Sequence, residues 1–203
     1  MSKEQYIEDL KEIKEIMNRS SRVISLSGLS GVSIGIIAIV ASILAHTLVF
    51  KSNLYLVLDK VDVVKSDIWT LLLIASVTLL TAIVSAVYFT RRKNKEENNV
   101  ALDIQSKQLL AHLFIPLITG GILCLLLLFK GFVGWLAPFT LIFYGLALVN
   151  GSKYTFTKIR NLGLIEISTG LASILFIEYA LYFWAFGFGA VQIIYGLIIH
   201  KKN

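Results

Sequence analysis

The sequence predicts an all-α fold. It reads as a polytopic membrane helical bundle, six transmembrane helices as three parallel hairpin repeats, with an N-terminal amphipathic cytoplasmic helix. Three observations carry this reading. Of 203 residues, 56% are apolar and only 16% are charged, whereas about a quarter of a soluble domain is charged. The charges are segregated, leaving apolar runs at about 23–50, 68–90, 108–129, 131–152, 161–177 and 179–200. Each is near the ~17–25 residues a helix needs to cross ~30 Å of hydrocarbon. Finally, the runs are apolar on all sides, which excludes the alternating strands of a membrane barrel.

The segment before the first run, residues 1–22, is charged and helical in pattern, and has no short apolar core of a cleavable signal. Tyr6, Leu10, Ile13 and Met17 recur at the spacing of a coiled-coil seam. Lys11 with Glu15 and Glu15 with Arg19 add i,i+4 pairs on the polar side. Residues 2–22 hold five acids and five bases. A helix made for anionic lipid is enriched in Lys and Arg instead, so the expected contact is with a protein partner or a second copy.

The first membrane run opens with SLSGLSGVSIG, residues 25–35. A phosphate-binding loop needs a strand before it and a lysine partner at fixed spacing, and neither is present. Ser27, Gly31 and Gly35 instead repeat the small-xxx-small spacing that lets membrane helices approach closely.

Loop charges set the expected orientation. Fifteen Lys and Arg fall on the side of the two termini, against four (Lys51, Lys60, Lys65, Lys130) on the other. The positive-inside rule then puts both termini in the cytoplasm of a bacterial inner membrane. Trp69, Trp135 and Trp184 fall at the outer ends of spans, where amphipathic rings anchor in the interface. The net charge of +6 reports this topology, and no nucleic-acid partner is implied. Segment 51–67 is an amphipathic outer connector, and 91–107 a charged inner one.

The second half contains a repeat. Gly121 lies 14 residues before Trp135, and Gly170 lies 14 residues before Trp184. FYGLAL at 143–148 answers IYGLII at 194–199. Spans three-four and five-six read as copies of one hairpin, with Gly35 opening a third copy. Gly121 and Gly170 are therefore expected at packing faces, like Gly31 and Gly35.

Polar residues inside the spans are few. Glu166 stands out, because an acid within the bilayer costs at least ~2.5 kcal/mol unless partnered or solvated. His112 is expected at similar depth, so a Glu166–His112 pair is the candidate polar site, with Gln192 and Asn150 as inter-helix glue. The single Cys124 reads as an apolar filler. No metal-ligand spacing, cofactor motif, nucleophile elbow or intramembrane aspartate pair occurs, so no cofactor and no enzymatic activity are expected.

The stretch ISLSGLSGVSIGIIAIV, following EIMNRSSR, resembles a group of uncharacterised bacterial inner-membrane proteins of about this length. In layout the chain is also similar to the HdeD-like six-helix proteins, which have Gly-rich paired spans and are linked to acid stress. That likeness implies a six-helix fold and supplies no catalytic residues. The leading expectation is a non-enzymatic accessory or regulatory membrane protein that contacts a partner through residues 2–22. The rival is a small proton-linked transporter or channel using Glu166 and His112, with a membrane enzyme third.

Overall fold

The computed structural model describes residues 28–50, 65–96, 104–154 and 157–201, and every element among them is helical. Helix α1 (Gly28–Ala45) runs on into a π-helical turn at His46–Phe50. Then come α2 (Lys65–Glu96), α3 (Ile104–Phe129), α4 (Leu136–Gly151) and α5 (Thr157–Leu175). The C-terminal helix is continuous but changes pitch: α6 (Ala180–Trp184), a π-helical stretch (Ala185–Val191) and α7 (Gln192–Lys201). The amphipathic segment 2–22 and Ser27 lie outside the described residues.

Among the described residues five helices are long and apolar enough to cross a membrane: Gly28–Phe50, Asp67–Arg92, Leu109–Phe129, Val133–Gly151 and Ile177–Ile199. The protein is therefore compatible with a multi-pass membrane protein. Helix α5 falls short of that standard because Lys158, Arg160 and Glu166 share its 19 residues. The expected fifth span, 161–177, is thus present as a helix, with a composition set apart by its charges.

Two short links join antiparallel helices. After α3, Gly131 takes a positive φ of 84°, a conformation that glycine reaches without steric cost, and a 3₁₀ turn (Val133–Trp135) feeds α4. After α5 a second 3₁₀ turn (Ile177–Tyr179) feeds α6. Pro138 sits in the first turn of α4, where its missing N–H takes no bond from the helix. Pro116 lies within α3.

The core runs through α1, α4, α5 and the C-terminal helix. Helix α4 packs on α5 and α3, while α1 packs on the C-terminal helix and α2. Glycines set how closely these pairs approach. A Cβ at Gly35 would lie 2.5 Å from Ile193 Cγ1 and 2.8 Å from the Gly189 carbonyl oxygen. At Gly170 it would lie 2.7 Å from Ile142 Cγ1 and 3.0 Å from the Pro138 carbonyl oxygen. Backbones this close leave no room for a side chain, the condition that small residues meet in membrane bundles. Gly31 faces Gly196 in the same way, at 3.1 Å. The face of the first span therefore meets the last helix of the same chain.

Gly121 departs from expectation: a Cβ there would meet nothing within 4 Å, while one at the adjacent Gly120 would run into the Phe143 ring. One residue along a helix turns the face by about 100°, so the packing role on α3 falls to Gly120. Helices α2 and α3 carry long rows of exposed apolar side chains, among them Leu73, Val84, Ile115 and Ile122. Such rows suit contact with lipid.

Candidate functional site

Glu166 lies at the midpoint of α5 and is fully buried, with 0% exposure. It neither reaches the helix end nor pairs with Arg160, which is exposed. Helices α4, α5 and the C-terminal helix converge on it. A Cβ placed on Gly187 would lie 2.5 Å from Glu166 Oε2 and 2.6 Å from Leu141 Cδ2. Leu141, of α4, is itself fully buried. Gly187 is thus the residue that makes space for the carboxyl.

The local sequence AFGFGAV explains how. Gly187 and Gly189 are two apart and so point to nearly opposite sides of their helix. Gly187 meets α5 and α4, whereas a Cβ at Gly189 would lie 2.6 Å from Ile39 Cγ1 of α1. The stretch between them is π-helical, and its cap is the Gln192 N–H donating to the carbonyls of Gly187 and Gly189. Single π turns within α-helices are rare and recur at functional sites.

Beside the carboxyl, the C-terminal helix and α4 share a run of polar and aromatic contacts. Gln192 Nε2 donates to Tyr144 Oη at 2.9 Å, and Trp184 Nε1 donates to Thr140 Oγ1 at 3.2 Å. Phe188 lies between them, its ring centroid 4.9 Å from that of Tyr144 and 5.1 Å from that of Trp184. Tyr144 is three residues along α4 from Leu141, and the Phe188 that its ring meets is the neighbour of Gly187. Four buried side-chain oxygens have no hydrogen-bond partner among the described residues: both of Glu166, Gln192 Oε1 and Ser173 Oγ. Buried polar atoms are almost always satisfied, so such a group on two facing helices marks a site. A buried acid that no cation or donor holds is a group able to take up and release a proton.

The sequence-derived candidates separate in space. Glu166 and Gln192 belong to this site. His112 does not: Asn150 Nδ2 donates to its backbone carbonyl at 2.9 Å and lies 3.5 Å from its Nδ1, joining α3 to α4. Since neither oxygen of Glu166 has a hydrogen-bond partner, no hydrogen bond joins Glu166 to His112. Tyr144 and Gly187 were not among the candidates. The FYGLAL repeat and the glycine doublet in AFGFGAV are the signals that point to them. Of the tryptophans, Trp69 is 71% exposed and Trp135 is 38% exposed at the start of α4. Trp184 is instead drawn into the bundle by its bond to Thr140. Cys124 is a half-buried free thiol. Among the described residues no group of three His, Cys, Asp or Glu is arranged to hold a metal. No protein-family model, no curated protein and no solved structure matches the chain.

Proposed function

We propose that this is a multi-pass bacterial inner-membrane protein, six helices in three parallel hairpins with both termini cytoplasmic, that moves protons through Glu166. The observation that carries the reading is a fully buried carboxyl, at the midpoint of a helix, with both oxygens unpartnered. Retaining an acid at that depth is costly and is most often tied to ion or proton pathways. The Tyr144 hydroxyl takes the relay place first expected of His112, and the Gln192 amide orients it. Gln192 Nε2 donates to Tyr144 Oη, which leaves the Tyr144 hydroxyl hydrogen free to turn toward another acceptor. The function is non-enzymatic on this reading.

The test is dissipation of an imposed pH gradient in proteoliposomes. Wild type is expected to collapse the gradient, and Glu166→Gln to lose that flux while accumulating and melting as wild type does. Equal flux in both proteins refutes the reading. A second reading, an accessory protein that docks a partner, rests on the seam of Tyr6, Leu10, Ile13 and Met17 with its balanced charges. Deleting residues 2–20 then removes a cross-linked partner while flux persists.

A further inference from the structure

The buried face of α5 changes character at Glu166. On the Thr157 side of the carboxyl that face is apolar, with Ile159 and Leu162 buried and Gly163 against the Gly145 carbonyl oxygen. On the Leu175 side it carries hydroxyls. Thr169 and Ser173 follow Glu166 by three and seven residues, spacings that return to the same face of an α-helix. Thr169 is buried, and its Oγ1 donates to the Ile165 carbonyl at 2.8 Å, which leaves the oxygen free to accept. Ser173 is fully buried, and its Oγ has no hydrogen-bond partner among the described residues.

A helical serine ordinarily bonds back to a carbonyl three or four residues earlier, as Ser33, Ser152 and Ser168 do here. Ser173 does not, and a buried hydroxyl without a partner is costly unless water meets it. The flank on which it lies is polar on the neighbouring helices too. Because α4 and the C-terminal helix run antiparallel to α5, the residues level with Thr169 and Ser173 precede Leu141 and Gly187 in the chain. There Trp184 Nε1 donates to Thr140 Oγ1, which donates in turn to the Ala137 carbonyl at 2.9 Å. The row of hydroxyls on α5 leads to the 3₁₀ turn Ile177–Tyr179, where Glu178 is exposed.

We propose that Ser173, with Thr169, holds the water that carries protons between Glu166 and the α5–α6 turn, at the end of the bundle opposite Lys201. Seven residues of helix span about 10 Å, several times the ~2.6–3.2 Å that one proton step covers, so water bridges the gap. A buried water needs roughly two to four polar partners, and the oxygens of Glu166, Thr169 and Ser173 supply them. In a transfer, protonated Glu166 gives its proton to the nearest water and is left a carboxylate. Each water passes one proton on as it takes one. The Ser173 hydroxyl accepts a proton on its oxygen while its own leaves toward the turn. Gln192 follows Gly187 toward Lys201, so the Tyr144–Gln192 pair lies on the other flank of the carboxyl. Glu166 is then the station where two half-paths meet. The proposal rests on the reading of Glu166 as a proton carrier.

Hydrogen–deuterium exchange at Glu166 tests it. The full-length protein in liposomes is moved into D2O, and the isotope shift of the Glu166 carboxyl band is timed by infrared spectroscopy, with proton flux measured alongside. Ser173→Ala removes the oxygen without adding bulk, and Ser173→Thr keeps it. Exchange and flux are expected to fall roughly tenfold or more in Ser173→Ala and to recover in Ser173→Thr. Thr169→Val keeps the native shape, loses only the hydroxyl, and is expected to slow both in the same way, which decides the matter where threonine does not fit at 173. Exposed Ser168→Ala is the control and should change neither. A merely structural Ser173 would shift melting and leave exchange as it is. The proposal is overturned if Ser173→Ala or Thr169→Val exchanges as fast as wild type. It is also overturned if Ser173→Thr accumulates normally and is as slow as Ser173→Ala. Flux that persists in Glu166→Gln, or wild type without a Glu166 band, instead sinks the proton-carrier reading itself and the proposal with it.

Discussion

Gly187→Ala probes the carboxyl site with a single methyl group. The added Cβ would sit 2.5 Å from Glu166 Oε2 and 2.6 Å from Leu141 Cδ2, about 1 Å inside the ~3.5–4.0 Å of ordinary contact. Overpacking of this kind costs ~1–3 kcal/mol, and the better helix propensity of alanine returns up to about 1 kcal/mol. A net loss of about 1–2 kcal/mol is expected, read as a melting shift of ~2–4 °C per kcal/mol for a chain of this size. The discriminating experiment is the double-mutant cycle. Glu166→Ala removes the oxygen that collides, so Gly187→Ala should be much less harmful in that background, with a coupling of at least about 0.5 kcal/mol. Melting in detergent of the four proteins measures it. Strict additivity would refute the placement of Glu166 against the π-helical stretch.

Further outcomes follow from the same contacts. Gly35→Leu should lower accumulation sharply, because its seam against Gly189 and Ile193 has no room; immunoblots of membrane fractions check this. Tyr144→Phe leaves Gln192 Nε2 without its acceptor, a loss of about 1–3 kcal/mol, and should slow proton flux in vesicles. His112→Ala should leave that flux unchanged, since His112 is bound to Asn150 on a different helix pair; a fall as large as that of Glu166→Gln would restore the Glu166–His112 pair.

Helices of membrane-spanning length were legible in the sequence because hydropathy depends on composition over a whole window. Five helices pass on that ground alone, and α5 is blurred by the same acid and bases that make it of interest. Small-residue spacing identified Gly31 and Gly35, and the internal repeat identified Gly170, as candidates for close contact, but neither signal names the helix opposite. The repeat also led Gly121 to be expected at a packing face, although the contact belongs to Gly120. The polar site was half legible. Depth along a helix picked out Glu166 and also placed His112 nearby, because depth ignores rotation about the axis and which helices are neighbours. The π-helical stretch has no residue signature beyond its glycines, and it turns Gly187 toward Glu166 and Gly189 toward α1.

Proton movement through Glu166 is tested most directly by infrared difference spectroscopy of the reconstituted protein across a pH jump. The account predicts a carboxyl carbonyl band that changes with pH in wild type and is missing in Glu166→Gln. A difference spectrum with no such band, or one that survives the substitution, would contradict it.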